Sequence, residues 1–324
     1  MAEDFANEIE RRLRLDGASG LDRGGRTLAQ FIETWYDGHA PGLARSTLDV
    51  YAVAWERYIL PELGRVTLRQ LRPHVVEQFK REPIRRGVGN AMIAKTLTML
   101  QSVLSYAVAC GELDANPVRE VRKPAHRPQR VVRPLTPEQV EAVRAQLDLR
   151  DATLISLLAY AGPRPAEALK LAWRDVRERT LVIEPANSKT GRGRTVRLLG
   201  PVAQDLAEWK LAQGPRFPTA PVFPRRDGRF WTVDDYRNWR SRVYRPVTRA
   251  LGLPTQPYAL RHSFVSLLIQ EGRDFREVAR LAGHGPEVCA RTYAHLFDEW
   301  DGAERTSAEE AIRRARQARK AASG

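Results

Sequence analysis

Four separated segments of this sequence carry side chains that could bind or attack an anion. In the first segment, Gly162 and Pro163 can end one helix, and Pro165 can begin the next. Arg164 between them would place a guanidinium beside a helix N-terminus, where free backbone N–H groups already attract anions. Taken alone this feature is weak, because most exposed arginines near turns are only solvated.

The second segment is a basic, glycine-rich turn over residues 187–194 that contains Lys189. Residues 180–184 and 194–199 on either side are predicted as short strands, so the turn is expected to join a β-hairpin. A lysine at the tip of such a hairpin could reach into a groove of a nucleic acid. Without further context, a solvated turn is the favoured interpretation.

The third segment has Tyr258, Arg261 and His262 at the start of a predicted helix. Tyr258 and Arg261 are three residues apart and therefore share a helix face. The apolar residues of the segment 264–268 bury the rest of the helix, so Arg261 would lie in an apolar neighbourhood. Such a position is unfavourable for a guanidinium unless an acid or an anion meets it. His262 points to another face, where a structural histidine with satisfied hydrogen bonds is the favoured interpretation.

In the fourth segment, a helix that ends at Gly283 leaves His284 directly after it, and Tyr293 follows nine residues later. A single tyrosine in a globular protein usually fills the core or the surface. Tyr293 is therefore a candidate reactive residue only because of its spacing to His284 and because of the three segments before it.

The elements that must position these side chains are mostly helices. With 324 residues, the chain is expected to form two domains. After a flexible tail over residues 1–25, the helical rhythm of apolar residues predicts a bundle of about four helices over residues 26–118, one of them over residues 68–81. Residues 135–300 form the second predicted domain, which is mainly helical with one hairpin. A C-terminal helix or tail covers residues 301–324.

Between the two predicted domains, residues 119–134 form a strongly basic segment. Within residues 119–133 there are six basic side chains, two prolines and a lone acid, Glu120. Such a composition predicts an extended linker. Its place between two domains of a basic protein favours a strap along a DNA backbone over a merely solvated run of charge.

The charge balance indicates which class of molecule the protein binds. The formal net charge is +14 at pH 7. A surplus that large indicates a polyanionic partner such as nucleic acid, since neutralising phosphates releases condensed counterions. An arginine-biased composition without such a partner is the alternative.

The composition also indicates the location of the protein in the cell. No run of about 18 apolar residues could span a membrane. The polar N-terminus lacks the apolar segment of a secretion signal. Cys110 and Cys289 have no metal-ligand spacing and are expected to be buried, reduced thiols. A cytoplasmic location is therefore expected.

The order and spacing of the four segments resemble the tyrosine recombinase (phage integrase) family. The shared pattern is an Arg before a helix, a Lys in a hairpin, an Arg at a helix start, and a Leu-x-Gly-His motif nine residues before a Tyr. The resemblance covers about residues 26–300. It implies a mainly α fold with a small β-hairpin or sheet, in which an N-terminal helical core-binding (SAM-like) domain precedes a mixed α/β catalytic domain. It also implies a homotetramer that clamps double-stranded DNA at specific recombination sites.

The family's reaction is transesterification at a DNA phosphodiester, without a metal, ATP or another cofactor and with no small-molecule substrate. The resemblance implies six catalytic positions: Arg164, Lys189, Tyr258, Arg261, His284 and Tyr293. In this pattern the arginines and the histidine hold the nonbridging oxygens, and the lysine protonates the leaving 5′ oxygen. Tyr293 attacks and forms a 3′-phosphotyrosyl link. Glu167 matches an acid of the family that orients a neighbouring basic group.

Two other functions would share this chemistry or this fold. A type IB topoisomerase-like enzyme would relax supercoils without site dependence, and a recombinase relic would bind DNA without forming a covalent adduct. In relatives, the segment after the nucleophile docks onto a neighbouring protomer. A surface helix or a frayed tail is the alternative for residues 301–324.

One position departs from the family pattern, because Tyr258 stands where a histidine or a lysine is usual. A phenol with an ordinary pKa of about 10 is a poor base at neutral pH, although it can donate to a phosphate oxygen. From the family pattern alone, Tyr258→His is expected to speed the formation of the covalent complex, measured on a nicked suicide substrate. An unchanged rate would contradict the idea that Tyr258 slows the deprotonation of Tyr293.

Overall fold

The computed structural model describes residues 23–125, 133–188, 191–300, 302 and 304–323. Residue contacts divide the chain into two compact units, Met1–Gln129 and Arg130–Gly324. Each unit has its own hydrophobic core. Over the described residues, the mainly helical fold with one small hairpin is confirmed. The domain boundaries given above stay predictions, and the predicted tail falls outside the described residues up to residue 22.

The first unit is a bundle of helices whose sequence signals are local. Its helices are α1 Leu28–His39, α2 Arg45–Ala54, α3 Leu60–Leu63, α4 Pro73–Arg85 and α5 Asn90–Ala109. α1 begins at a capping box, in which the side chains of Thr27 and Gln30 each accept from the backbone N–H of the other. Leu28, Phe31 and Trp35 of this helix are fully buried, at the spacing that the sequence showed.

The helix predicted over residues 68–81 begins later than expected. Leu68–Gln70 form only a 3-10 turn, and Arg72 has extended backbone angles (φ −102°, ψ 161°). The cause is Pro73, whose ring disfavours the helical conformation of the residue before it and then occupies the first position of α4.

The basic segment after α5 differs from an extended linker in its first part. Val118 and Val121 are buried in the core of the first unit, and the side chain of Asn116 accepts from the Val118 N–H at 3.0 Å. The ammonium group of Lys123 donates to the hydroxyl of Thr98 in α5. Apolar burial therefore holds this part of the segment on the first unit, and residues 126–132 lie outside the described residues.

By length and composition alone, α5 could cross a membrane. However, Leu97, Leu100 and Val103 of this helix are fully buried in the first core, so α5 is the central core helix of this unit. Cys289 is buried as expected, whereas Cys110 at the C-terminal end of α5 is exposed; both thiols are free.

The second unit packs helices around a two-stranded hairpin. Its helices are α6 Pro137–Arg144, α7 Leu149–Tyr160, α8 Pro165–Ala168, α9 Gly200–Gln213, α10 Val233–Trp239, α11 Arg245–Ala250, α12 Tyr258–Gln270, α13 Phe275–Ala282, α14 Pro286–Glu299 and α15 Ala308–Ser323. The antiparallel strands are β1 Thr180–Ile183 and β2 Arg194–Arg197, with Ile183 opposite Arg194. α12 packs against α7 in the centre of the unit. The hairpin thus carries Arg194 at its tip end, where β2 begins.

The C-terminal helix α15 packs against α6 and α9 of its own unit. Ile312 is fully buried, and Arg316 forms ion pairs with Asp205 at 2.6 Å and with Glu141 at 3.4 Å. This packing on its own unit differs from a frayed tail, and the docking onto a neighbouring protomer that the resemblance implied stays a prediction. The physical reason for the packing is the buried apolar face combined with a paired, largely buried guanidinium.

Ile312→Ala should destabilise the second unit, because truncating a fully buried isoleucine costs about 2–5 kcal/mol. We expect a lower unfolding free energy in denaturant titrations and faster hydrogen exchange of the α15 amides. Arg314→Ala on the same helix is the matched control, since that side chain is 67% exposed. Its expected effect is below about 0.5 kcal/mol. Equal effects of the two substitutions would show that the buried face does not hold α15.

Candidate active site

Arg164 precedes the short helix α8 and is held by the acid of that helix. Its backbone N–H and its Nη1 both donate to the carboxylate of Glu167 at 2.8 Å. The same carboxylate accepts from Nη2 of Arg194 at 2.6 Å. Burial alone would raise the pKa of Glu167, but the hydrogen bonds and charges of Arg194 and Arg164 lower it to about 2. An ionised carboxylate therefore bridges two guanidiniums.

Three guanidiniums converge on the C-terminal end of α13. Three consecutive carbonyl oxygens each accept a hydrogen bond from a different arginine: Leu281 from Arg194 Nε (3.2 Å), Ala282 from Arg261 Nη2, and Gly283 from Arg164 Nη2 (2.7 Å). The last carbonyls of a helix lack partners within the helix and lie at the negative end of its dipole, so they attract cations. Arginines from three distant segments are thereby brought to one point.

Arg261 is the most deeply buried of these arginines, with no exposed surface. It also donates to the carbonyl of Gly162, whereas its Nε has no partner among the described residues. Burial, together with the charge of Arg164, lowers the pKa of Arg261 to about 10, so the guanidinium is still charged at neutral pH. The burial expected for Arg261 is confirmed, but polar carbonyls and charged side chains lie around it.

Two glycines make these close approaches possible. Gly283 ends α13 with φ of +66°, and a Cβ there would lie 2.9 Å from the guanidinium of Arg194. Gly162 also has φ of +66°, and a Cβ there would overlap the ring of Phe264. The left-handed backbone at Gly283 lets the N–H of His284 bond back to the last turn of α13 at 2.8 Å. This cap fixes His284 beside the arginines.

Tyr293 lies on α14 between the two histidines of the site. Its ring stacks on that of His284 with centroids 5.9 Å apart, and its hydroxyl oxygen is 2.6 Å from Nδ1 of His262. The side chain is 1% exposed. Burial raises the pKa of Tyr293 well above its ordinary value, against the lowering effect of Arg261. The hydroxyl is therefore protonated at neutral pH.

Both histidines are neutral at pH 7. Burial, with a contribution from the charge of Arg261, lowers the pKa of His262 to about 4. Burial and the charges of Arg261 and Arg164 lower the pKa of His284 to about 3. Nδ1 of His284 is buried and has no partner among the described residues.

The structure brings five of the six site residues predicted from the sequence into one cluster: Arg164, Tyr258, Arg261, His284 and Tyr293. Tyr258 is 43% exposed at the start of α12, with its ring edge 5.2 Å from that of His262, centroid to centroid. The sixth residue, Lys189, lies outside the described residues.

Two further members of the cluster were not assigned a role in the site from the sequence. Arg194 had only its place at the start of a predicted strand to mark it, and His262, directly after Arg261, was interpreted as structural. Nothing local in the sequence indicates that either side chain meets Glu167 or Tyr293. Among the described residues, no group of three or more His, Cys, Asp or Glu side chains is arranged to hold a metal ion.

Two family models cover almost all of this fold. Residues 133–299 match the phage integrase family, and residues 28–124 match the phage integrase central domain. The chain belongs to the phage integrase family. Members of this family are tyrosine recombinases, and the protein is a site-specific recombinase of that class.

The similarity to known relatives and to solved structures supports the assignment to this family. The recombinase is 28% identical to tyrosine recombinase XerD of Corynebacterium glutamicum over 291 residues, which cover 81% of this chain and 93% of that protein. The Tn1549 transposon integrase in complex with transposon right end DNA superposes with a TM-score of 0.68 at 18% identity, over 86% of this chain and 98% of that one. A lambda integrase tetramer bound to a Holliday junction superposes with a TM-score of 0.65 at 18% identity, over 80% and 75%. The two structures show the shared fold, and the alternatives of a relaxing enzyme or a relic are not favoured.

Glu167→Gln should destabilise the recombinase at pH 7. The pKa of Glu167 in the folded protein, about 2, lies below its ordinary value of 4.5. A carboxyl with a depressed pKa contributes stability above its unfolded pKa and loses it as the pH falls towards the folded value. The difference in unfolding free energy between native and variant proteins should be about 3 kcal/mol at pH 7, and it should shrink from pH 4.5 down to 2.

The matched control is Glu178→Gln, which removes an exposed carboxylate in the same unit. Its unfolding free energy at pH 7 should lie within about 0.5 kcal/mol of that of the native protein, because the side chain is exposed. Denaturant titrations at a series of pH values measure both differences. A constant difference for Glu167→Gln across the acid range would contradict the assigned ionisation.

Proposed function

We propose that this recombinase cleaves and rejoins double-stranded DNA with Tyr293 as the nucleophile. Arg164, Arg261 and His284 would hold the scissile phosphate. The observation that carries this proposal is the surplus of positive charge at the end of α13, where three guanidiniums meet one carboxylate, Glu167, among the described residues. Clustered cations in a buried site are unfavourable unless an anion meets them. A phosphodiester supplies that anion.

Transesterification at a phosphodiester requires groups that stabilise extra negative charge on the oxygens bound to phosphorus. Planar guanidiniums suit the geometry of phosphate. Before the reaction, Arg261 is fixed by the carbonyls of Gly162 and Ala282, and Arg164 by the carbonyl of Gly283 and by Glu167. His284, as a neutral ring, donates one N–H to the same oxygens. Lys189, on the hairpin, is the proposed acid that protonates the leaving 5′ oxygen. The resulting 3′-phosphotyrosyl link retains the bond energy needed for rejoining, without a metal, ATP or another cofactor.

The resting site keeps its nucleophile covered. The Tyr293 side chain is 1% exposed, and its hydroxyl is bonded within the protein. Attack on a phosphate therefore requires a displacement of the residues that cover this hydroxyl. In this proposal, binding of DNA brings about that displacement, so cleavage is confined to the protein–DNA complex.

The proposed assembly is a homotetramer on specific DNA sites. The net charge of +14 supports a polyanionic partner. The solved integrases of the same fold support the same conclusion, since one is bound to transposon end DNA and another is a tetramer on a Holliday junction. A cytoplasmic location completes the proposal, with no membrane and no small-molecule substrate. Sequencing the DNA that the protein captures covalently in its own host would identify the site.

Tyr293→Phe should abolish the covalent protein–DNA adduct and leave DNA affinity unchanged, because it removes only the hydroxyl and keeps the buried ring. Trapping on a nicked suicide substrate, followed by denaturing electrophoresis, measures the adduct, and mobility shift measures binding. Tyr236→Phe on α10 is the matched control and should form the adduct at the native rate. An adduct that persists in Tyr293→Phe would contradict the proposed function.

A further inference from the structure

The hydroxyl of Tyr293 has a defined partner in the resting site. Nδ1 of His262 lies 2.6 Å from it, and the two rings meet edge to face with centroids 5.5 Å apart. The contact joins α12 to α14. Arg261, the neighbour of His262, is fully buried and bonded to the carbonyls of Gly162 and Ala282, which anchors the start of α12. The imidazole is therefore held in a fixed position beside the oxygen that has to react.

The protonation states of the pair suit a transfer from tyrosine to histidine. With the pKa of His262 lowered to about 4 by burial and by Arg261, the ring is neutral at pH 7 and has one nitrogen with a free lone pair. With the proton on Nε2, Nδ1 accepts the O–H of Tyr293. Burial raises the pKa of Tyr293, so the phenol holds its proton until another group removes it.

The other candidates for this role are worse placed. Tyr258 stands where the resemblance expects a basic residue, but it is a phenol, 43% exposed, and it meets His262 only through ring edges. His284 contacts Tyr293 face to face, with an angle of 22° between the rings, so its contact with Tyr293 is a ring stack, whereas His262 meets the hydroxyl at hydrogen-bond distance. Of the described residues around Tyr293, His262 is the one whose lone pair lies at hydrogen-bond distance from the hydroxyl.

We infer that His262 is the general base of DNA cleavage, which aligns the Tyr293 hydroxyl and takes its proton as the hydroxyl attacks. The inference rests on the proposed function, in which Tyr293 is the nucleophile. In the step, the phenolic proton moves to Nδ1 of His262 while the bond between the Tyr293 oxygen and phosphorus forms. The bond between phosphorus and the 5′ oxygen breaks, and that oxygen takes a proton from the general acid. Rejoining reverses each transfer, and His262 returns the proton to Tyr293.

The bound phosphate itself strengthens this base. The titratable and charged groups that face His262 are Tyr258, Arg261, His284 and Tyr293. Arg261 is the cation among them, and it disfavours the imidazolium. A phosphodiester seated on Arg261 offsets that charge, so His262 becomes a better proton acceptor when DNA is in place.

His262→Asn tests the inference directly. An asparagine side chain can place a polar atom near the position of Nδ1 and retain the hydrogen bond, but it cannot accept a proton. Single-turnover cleavage of a suicide substrate should fall by about 100-fold or more, the usual contribution of a general base, with unchanged DNA affinity. His295→Asn on α14 is the matched control and should cleave at the native rate. A His262→Asn rate close to native would overturn the inference.

A substrate with sulfur in place of the bridging 5′ oxygen separates the base from the acid. A thiolate leaves without a proton, so this substrate should restore cleavage to Lys189→Ala, which lacks the proposed acid. It should not restore cleavage to His262→Asn, because Tyr293 still has to lose its proton. Full restoration of His262→Asn by the sulfur substrate would overturn the role of His262 as base.

If His262→Asn does not fold, a measurement on the protein that retains His262 still tests the inference. Ring fluorination of Tyr293, introduced during synthesis of the chain, lowers the pKa of the phenol. With His262 as the base, the acid limb of the cleavage rate against pH follows the histidine and stays where it is. If that limb moves to lower pH with the fluorinated ring, the phenol ionises by itself and the inference is wrong.

Tyr293→Phe, measured beside these variants, distinguishes a failure of the proposed function from a failure of the role of His262 alone. An adduct in Tyr293→Phe would reject the proposed function and, with it, the inference. No adduct in Tyr293→Phe together with native cleavage by His262→Asn would reject the inference alone.

Discussion

Three consecutive carbonyl oxygens at the end of α13 hold the candidate active site together, because each accepts a hydrogen bond from a different arginine. These carbonyls cannot be satisfied inside the helix, and the helix dipole adds negative charge at this point. Arg164, Arg194 and Arg261 come from a turn, a strand and a helix start that are far apart in the sequence. One helix end thus gathers them and, through the cap at Gly283, fixes His284 beside them.

The convergence of the three arginines leaves an excess of positive charge, which the protein compensates only in part. Glu167 is ionised and bridges two of the guanidiniums, while the third, Arg261, is fully buried and bonded to carbonyls. A site of this kind is arranged before its ligand arrives, which is the condition for strong stabilisation of a developing anion. Burial, together with the charges of this excess, keeps both neighbouring histidines neutral. The charge that would receive a phosphate therefore also contributes to the protonation state of the groups around Tyr293.

Local signals in the sequence predicted much of the fold. The capping box at Thr27 and the apolar spacing of α1 act within a few residues, so they appear in the sequence and in the structure alike. Pro73 also acts locally, through the residue before it, but the apolar pattern hid its effect and the predicted start of α4 was too early. The packing of α15 on its own unit was not predicted, because it depends on partners more than 100 residues away, such as Asp205 for Arg316.

For the site, the sequence by itself determined the types, order and spacing of the reactive residues, since these are properties of a linear chain. That was enough to identify the family and to single out Tyr293. Only the tertiary structure decided which side chains meet. It placed Arg194 on Glu167 and turned His262 towards the Tyr293 hydroxyl, a contact across 31 residues of sequence. Helical periodicity fixes the direction of a side chain relative to its own helix, but what it faces depends on how the helices pack, and no local pattern encodes that.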